Sequence, residues 1–272
     1  MPGESPVTGF AYLDAVLDQP GSVLAMAHRG GALHPEIPGL ENTVRAFRHA
    51  AALGYRYLET DVHVTRDGAL LAFHDAVLDR VTDRLGKLSD LDAQEIALAR
   101  ISGEHVVPTM AELLEEFPDS SFNIDLKALG AVQPLAHLLD HTRSHDRVCV
   151  GSFAQRRLDA FRRATGGRVA TSAAPPEVAL FLAAPSARAA QLLTRHRVAA
   201  LQVPHRRGVV PVVTRRVVRR AHAAGVHVHV WTVDDPAEMD ELLDLGVDGL
   251  ITDRTDVLKE VLVRRGQWRQ PA

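Results

Sequence analysis

The amino-acid sequence predicts an α/β fold, a (β/α)8 TIM barrel formed by a single chain. Short β-rich apolar runs alternate with helical segments eight times, which is the count that such a barrel requires. The 272 residues are 46% hydrophobic, enough for one large core, and chains of about 250 residues are often single α/β barrels. Polar residues follow several of the apolar runs, and a closed barrel would gather these strand ends at one mouth.

The predicted strands are the runs at 22–28, 55–64, 121–127, 147–153, 168–173, 198–204, 226–233 and 247–253. The predicted helices cover 43–53, 109–117, 131–144, 154–164, 175–195, 214–224, 235–245 and 254–264. Thr43, Thr109 and Asp235 stand where a side-chain oxygen can cap the first turn of a helix. A doubly wound open sheet is the main alternative, but it would bring together only the strands near its switch point.

Residues 78–108 interrupt the alternation between the second strand and the second helix. The segment is too long for a simple connection, and turn signals at 83–86 and 102–103 predict an excursion above the barrel mouth. It could form one wall of a substrate cleft or be a surface excursion without function. We therefore predict one barrel domain over residues 1–272, with an insertion at about 78–108.

The composition limits the partners. Thirty-one basic residues against 34 acidic ones give a formal net charge of −3, which offers no field for holding nucleic acid or an anionic membrane surface. The single cysteine, Cys149, excludes an intramolecular disulfide, and its apolar surroundings predict a buried strand position. No secretion signal or long apolar span is evident, which predicts a cytoplasmic protein without stable membrane insertion. Nothing in the sequence indicates an oligomeric state.

The stretch 57–75 is the most informative part of the chain. Glu59 and Asp61 lie two residues apart at the end of a predicted strand, so both carboxylates point to one face. Like charges this close raise each other's pKa unless a cation, a shared proton or solvent relieves them. A hard divalent cation such as Mg²⁺ or Ca²⁺ is the partner that fits best.

Two histidines are predicted to flank this acidic pair. His28 ends the first strand, and Arg29 beside it offers a fork of donors for phosphate or carboxylate oxygens. His74 and Asp75 follow a tight turn at 67–68, which predicts a hairpin that folds His74 back over the carboxylates. Imidazole titrates near neutral pH, so the arrangement suits general acid/base chemistry.

The loop after the first strand contains further candidates. Gly30 and Gly31 would let the backbone approach a ligand closely. Asn42 could cap the first helix, while Glu41 could reach back toward the mouth. His34 lies in the same loop without a recognisable partner in the sequence.

Asp125 and Lys127 share one face at the end of the third strand, either as site residues or as a simple ion pair. His227 and His229 share a strand face without a nearby carboxylate, which predicts the barrel interior and cleft wall. His63 could join the ligand set or begin the hairpin.

Together these motifs resemble those of the glycerophosphodiester phosphodiesterase family, also called the GDPD or GlpQ-like family. The resemblance extends over residues 25 to 260, with the motifs in the family's order and at compatible spacing. The matching segments are AHRGG (27–31), ENT (41–43), ETDVHVTRDG (59–68), FHD (73–75), NIDLK (123–127), GSF (151–153), VWTV (230–233) and DGLITD (248–253).

The resemblance implies a barrel that binds one divalent cation, Mg²⁺ or Ca²⁺, and hydrolyses a small glycerophosphodiester to an alcohol and glycerol 3-phosphate. It implies metal ligands at Glu59, Asp61 and Asp125, acid/base roles for His28 and His74, phosphate binding by Arg29 and Lys127, a cleft lined by Phe153 and Trp231, and Glu41 near the metal or the glycerol. Family members commonly have Glu in place of Asp125, and the shorter side chain leaves the choice between Mg²⁺ and Ca²⁺ open.

Two alternatives follow from the same residues. One is a lysophospholipase D-type activity, in which Leu85, Leu88 and Leu91 of the insertion would accommodate an acyl chain. The other is a barrel that binds phosphodiesters without hydrolysing them. The sequence does not distinguish water from a substrate hydroxyl as the attacking group, nor the acid histidine from the base.

Overall fold

The computed structural model describes residues 5–15 and 21–268. Its strands are β1 Leu24–His28, β2 Tyr57–Val64, β3 Leu70–Ala72, β4 Ser121–Leu126, β5 Val148–Gly151, β6 Ala170–Thr171, β7 Ala200–Val203, β8 Arg206–Arg207, β9 Val210–Pro211, β10 His227–Val230 and β11 Gly249–Thr252. Its helices are α1 Ala11–Asp14, α2 Val44–Leu53, α3 Ala93–Ile96, α4 Met110–Glu116, α5 Val132–Thr142, α6 Gln155–Ala164, α7 Pro175–Ala183, α8 Ala187–Leu193, α9 Arg215–Ala223, α10 Pro236–Leu245 and α11 Thr255–Arg264.

Eight parallel strands form the barrel, in the spatial order β6-β5-β4-β2-β1-β11-β10-β7. The ring closes between β6 and β7, where Ser172 pairs with Ala200 in parallel. The Ala199 amide donates to the Thr171 carbonyl at 3.0 Å across the same junction. The predicted (β/α)8 barrel is therefore confirmed, and the open-sheet alternative is wrong.

The helices begin where the sequence indicates. Thr43 caps α2, Thr109 caps α4 in a reciprocal pair with Glu112, and Asp235 caps α10. The prediction of one helix over 175–195 is wrong, because two helices, α7 and α8, occupy it. Pro185 has no amide hydrogen to continue the helix, and Ser186 beside it caps α8 by accepting from the Ala189 amide at 3.2 Å.

The core has two layers. Between barrel and helices lie large buried side chains such as Phe47, Phe122 and Phe161. Inside the barrel, a smaller cluster contains Met26 and the buried Cys149, as predicted for the cysteine. The short helix α1 covers the amino-terminal end of the barrel, so the opposite, carboxyl-terminal end of the strands is the open mouth.

Strand β10 contributes His227 and His229 to the barrel interior, as predicted. Both side chains are fully buried, and their rings meet edge to face with centroids 5.8 Å apart. Burial lowers the pKa of His229 to about 3, so this imidazole is neutral. Its Nδ1 accepts a hydrogen bond from the Gln202 side-chain amide at 3.2 Å, inside the barrel.

The insertion packs on its own small core. The hairpin strand β3 pairs antiparallel with β2, as the turn at 67–68 predicts. The buried cluster beyond it contains Leu71, Phe73, Leu78, Leu88, Ile96, Ala99, Ile101 and Val107. Leu88 is 1% exposed and Leu91 packs against the same cluster, so these two are not available to an acyl chain; only Leu85, at 79%, is exposed.

No helix within residues 5–15 or 21–268 combines the length and apolar character needed to cross a lipid bilayer.

Candidate active site

Strand register brings the predicted site residues together at the barrel mouth. His28 is paired with Glu59 between β1 and β2, and Asp61 is paired with Asp125 between β2 and β4. Side chains at such paired positions on neighbouring parallel strands lie side by side on the same face. These four residues, which span nearly a hundred positions of the chain, therefore lie on one surface.

Asp61 is the central carboxylate. It is 2% exposed, and its two oxygens contact Lys127 Nζ at 2.9 Å and Arg29 Nε at 3.2 Å. Burial raises the pKa of Asp61, but the charges of Lys127 and Arg29 outweigh this effect and lower it. Asp61 is therefore ionised at neutral pH despite its burial.

Glu59 has fewer positive neighbours. It is 5% exposed and accepts a hydrogen bond from the Arg29 amide at 3.1 Å. Burial and the nearby charge of Asp61 raise the pKa of Glu59 to about 7. This carboxylate is the repelled member of the acidic pair that the sequence singled out.

Lys127 bridges the carboxylates of Asp61 and Asp125. Its ammonium lies 2.7 Å from Asp125 Oδ2 as well as 2.9 Å from Asp61 Oδ1. Burial raises the pKa of Asp125, in spite of Lys127. Asp125 Oδ1 is buried and has no hydrogen-bond partner among the described residues. The simple ion pair considered for Asp125 and Lys127 exists, but it leaves one carboxylate oxygen unused.

His28 is held between two carboxylates. Its Nδ1 lies 3.0 Å from Asp253 Oδ2, at the end of β11, and its Nε2 lies 3.9 Å from Glu59 Oε2. Burial lowers the pKa of His28, but Glu59 and Asp253 more than compensate and raise it. Asp253 was not among the predicted site residues; its position at a strand end of the barrel was the available signal.

His74 is positioned by the hairpin. Its Nδ1 contacts Asp75 Oδ1 at 2.5 Å, and its backbone carbonyl is 3.0 Å from His63 Nε2. The Phe73 amide donates to the Asp61 carbonyl at 2.9 Å, which fastens the turn directly above β2. His63 thus lies in the hairpin, paired with Leu71, and supports the backbone of His74 through its Nε2.

A charged network links the insertion to the mouth. Arg80 donates to both oxygens of Glu41, at 2.7 and 2.8 Å, and to Asp75 at 2.5 Å. Glu41 also accepts from Arg29 at 3.2 Å. The hydrogen bond from Arg80 is the main reason that the pKa of Asp75 falls to about 2. Arg80 was missed because no sequence spacing connects an arginine of the insertion to a loop forty residues earlier.

One expectation for the first loop is wrong, and one of its glycines has a packing role. Asn42 does not cap α2, since Thr43 does; its side-chain amide instead donates to Asp61 at 3.4 Å and accepts from Thr60 at 2.8 Å. Gly30 is required for packing. At φ +88° its added Cβ would lie 2.6 Å from the Ala46 Cβ, so only glycine fits.

Aromatic side chains form one side of the mouth. Phe153 is 61% exposed and meets Trp231 edge to face, with ring centroids 5.7 Å apart. The Lys127 ammonium lies 5.7 Å from the Phe153 ring centroid. The predicted cleft residues therefore stand next to the charged cluster.

Within residues 5–15 and 21–268, a different set of residues forms a compact group of potential metal ligands. Ligand atoms of His34, Glu36 and His49 all lie within 4.8 Å of one another. The carboxylates of the mouth are further apart, because the Arg29 and Lys127 side chains contact them. His34, expected to be without partners, is thus part of a cluster, because α2 brings His49 to the loop.

Residues 28–257 match the model of the Glycerophosphoryl diester phosphodiesterase family. A protein of Mycobacterium tuberculosis named "Probable glycerophosphodiester phosphodiesterase 2" is 41% identical over 91% of this chain and 94% of its own length. "Lysophospholipase D GDPD1" of Rattus norvegicus is 25% identical over 87% of this chain and 85% of its own.

Solved structures share the fold. The glycerophosphodiester phosphodiesterase from Agrobacterium tumefaciens superimposes with a TM-score of 0.71 at 23% identity, covering 87% of this chain and 99% of its own. An Oleispira antarctica phosphodiesterase, solved in complex with the product sn-glycerol-3-phosphate, has a TM-score of 0.71 at 20% identity and covers 88% of this chain and 96% of its own.

The raised pKa of Glu59 predicts that this residue destabilises the cation-free protein. The folded state keeps the Glu59 proton up to about pH 7, whereas the ordinary value is 4.5. Because the folded state binds more protons, stability falls as pH rises through this window, by on the order of 3 kcal/mol. Glu59→Gln should therefore raise the free energy of unfolding in EDTA at about pH 8, and the gain should vanish near about pH 4.

Urea unfolding across this pH range measures the effect. The control is Glu115→Gln on an exposed helix face, which removes a carboxylate without removing a buried charge. If Glu59→Gln were no more stable than the wild type at high pH, the repulsion inferred for the mouth would be absent.

Proposed function

Because the chain belongs to the glycerophosphoryl diester phosphodiesterase family, we propose that its barrel mouth hydrolyses glycerophosphodiesters to an alcohol and glycerol 3-phosphate. The observation that supports this assignment best is the convergence of His28 and His74 on a cluster of buried carboxylates and cations. A site that only bound phosphodiesters would need the cations but no pair of proton carriers.

The charge balance indicates that a divalent cation completes the site. The mouth contains three carboxylates but only two basic side chains that contact them. The carboxylates belong to Glu59, Asp61 and Asp125, and the basic side chains to Arg29 and Lys127. A phosphodiester is itself an anion, so its binding next to this cluster requires further positive charge. A bound cation would need carboxylate oxygens that are not already neutralised. Asp125 Oδ1, which is buried and unpaired, and the Glu59 carboxylate, whose charge is poorly compensated, meet this need.

Glu59, Asp61 and Asp125 would hold the cation, and their oxygens suit Mg²⁺ or Ca²⁺. When bound, such an ion supplies positive charge that stabilises the developing negative charge on the phosphate. Arg29 and Lys127 are proposed to bind phosphate oxygens from the same cluster, where Lys127 can exchange a carboxylate contact for a phosphate contact.

Both histidines are oriented in the same way. A carboxylate lies next to Nδ1 in each ring, Asp253 for His28 and Asp75 for His74. This contact favours the tautomer with the proton on Nδ1 and leaves Nε2 for the substrate. We propose that one Nε2 removes the proton of the attacking hydroxyl group while the other donates a proton to the leaving alkoxide as its bond to phosphorus breaks.

Glu41 and Arg80 are proposed to shape the glycerol side of the cleft. Arg80 neutralises Glu41, and the Glu41 carboxylate in turn holds Arg29. The insertion therefore contributes one wall of the site through a charged side chain. Phe153 and Trp231 would line the opposite, leaving-group side.

His74→Ala tests the acid/base assignment. Because His74 lies in a loop and is half-buried, its removal should leave folding intact and reduce kcat on glycerophosphocholine by about 10²- to 10⁴-fold. His141→Ala, an exposed histidine at the end of α5, is the matched control and should keep wild-type turnover. Near wild-type activity of His74→Ala would refute the assignment.

Cation removal tests the metal assignment. EDTA should abolish release of glycerol 3-phosphate, and Mg²⁺ or Ca²⁺ should restore it. Since ligands bind metals in the deprotonated form, cation affinity should rise between about pH 6 and about pH 8 as Glu59 loses its proton. Calorimetric titration measures this affinity; Asp125→Asn should weaken it and Asp125→Glu should retain it. Turnover that persists in EDTA would contradict the proposal.

A second candidate activity is lysophospholipase D-type cleavage of lysophospholipids. It is favoured by exposed apolar side chains in loops that follow the carboxyl ends of barrel strands: Leu33 is 58% exposed, Phe153 61% and Val209 93%. Such side chains could contact the acyl chain of a substrate that extends out of the mouth.

Comparison of two substrates tests this activity. If the acyl chain contacts the mouth, Val209→Ser should reduce kcat/KM on lysophosphatidylcholine but not on glycerophosphocholine. Val263→Ser near the end of α11, at the opposite end of the barrel, is the control for a lost exposed valine. No turnover of the lysolipid by the wild type would exclude the second activity.

A further inference from the structure

The loop after β1 and helix α2 bring two imidazoles and a carboxylate together outside the site described above. Ligand atoms of His34, Glu36 and His49 lie within 4.8 Å of one another. His49 Nε2 is 3.0 Å from Glu36 Oε2, and the rings of His34 and His49 are 4.3 Å apart between centroids. We propose that these three residues form a binding site for a transition-metal ion of the Zn²⁺ class.

The type of ligand distinguishes this site from the mouth. Two histidines and one carboxylate are a common protein ligand set for Zn²⁺, with water in the open position. Mg²⁺ and Ca²⁺ prefer oxygen ligands, which the carboxylates of the mouth supply. The two sites are therefore expected to select different cations.

The separations are compatible with closure around an ion. At metal–ligand distances of about 2.0–2.1 Å, tetrahedral ligand atoms lie roughly 3.4 Å apart. The Glu36–His49 contact is already within this distance. The Glu36 side chain is 75% exposed and can move, whereas His34 and His49 are held by burial and by the helix.

The hydrogen bonds of the two rings show which nitrogens face the proposed ion. His49 Nε2 is the nitrogen next to Glu36, and its lone pair is free for a metal when the ring proton is on Nδ1, which is buried and has no hydrogen-bond partner in the part of the chain that the structure describes. His34 Nδ1 accepts from the Glu36 amide at 3.1 Å, a bond that coordination of His34 would give up. Burial and the nearby His49 ring, 4.3 Å away between centroids, lower the pKa of His34, which favours the neutral imidazole that a metal binds.

A metal at this position would fasten the first loop to α2. The same loop carries Arg29 and Glu41 of the mouth, and its Leu33 amide donates to the Asp253 carbonyl at 3.2 Å. The site would therefore stabilise the loop that frames the mouth without contributing a group to the reaction.

Titration of the chelator-treated, full-length Asp125→Asn protein with Co²⁺ or Zn²⁺ tests the site, because that background weakens cation binding at the mouth. The expected result is one equivalent of Co²⁺ bound, with a visible absorption band, and a rise of Tm with Zn²⁺. A second substitution in this background, Glu36→Gln or His49→Gln, should weaken metal binding by at least about tenfold. Loss of a residue that only supports a ligand already costs about that much, and loss of a ligand should cost more.

Adding His141→Gln instead controls for adventitious binding to an exposed histidine. Loss of binding in Glu36→Gln and His49→Gln, but not in His141→Gln, would establish the site. If the Asp125→Asn protein binds no Co²⁺ or Zn²⁺, or if all three further variants bind equally, the proposal is overturned. Both outcomes are read from metal binding and do not depend on hydrolysis. Glycerophosphodiester turnover with Mg²⁺ is measured separately in the single variant Glu36→Gln, so failure of the metal site can be told apart from failure of the proposed hydrolysis.

Discussion

The parallel register of β1, β2 and β4 is the constraint on which the site depends. It pairs His28 with Glu59 and Asp61 with Asp125, so groups from three strands meet on one face at the barrel mouth. A shift of one strand by one residue would turn its carboxylates to the opposite face. The hydrophobic alternation that fixes the register for packing therefore also fixes the distances between the charged groups.

Charge compensation at the mouth is incomplete, and this is informative about function. Arg29 and Lys127 keep Asp61 ionised, while Glu59 is left with a raised pKa and Asp125 with an unpaired buried oxygen. A structural ion-pair network would be expected to satisfy such groups. Buried carboxylates that are only partly compensated are instead typical of a site that acquires its remaining charge from a ligand or a metal.

Charged side chains link the insertion and the first loop to this cluster. Arg80 of the insertion joins Glu41 and Asp75, and thereby connects the first loop with the loop that carries His74. The insertion can position Arg80 because it has its own buried core, which includes Leu88 and Ile101. Leu88 and Leu91 pack in or against that core, whereas Leu85 is exposed, and the insertion contacts the site through the charged side chain of Arg80.

The local pattern of the chain was enough to predict the barrel, most element positions, and the acidic pair, the two histidines and the basic residues that gather at the mouth. These features follow from short-range rules, namely alternation along strands, capping of helices and polar residues at strand ends. Folding alone decided the contacts between distant segments. Closure of the ring and packing of α2 bring together residues whose separation along the chain carries no signal. The contacts formed in this way are Asp253 with His28, Arg80 with Glu41, Asn42 with Asp61 and His49 with His34.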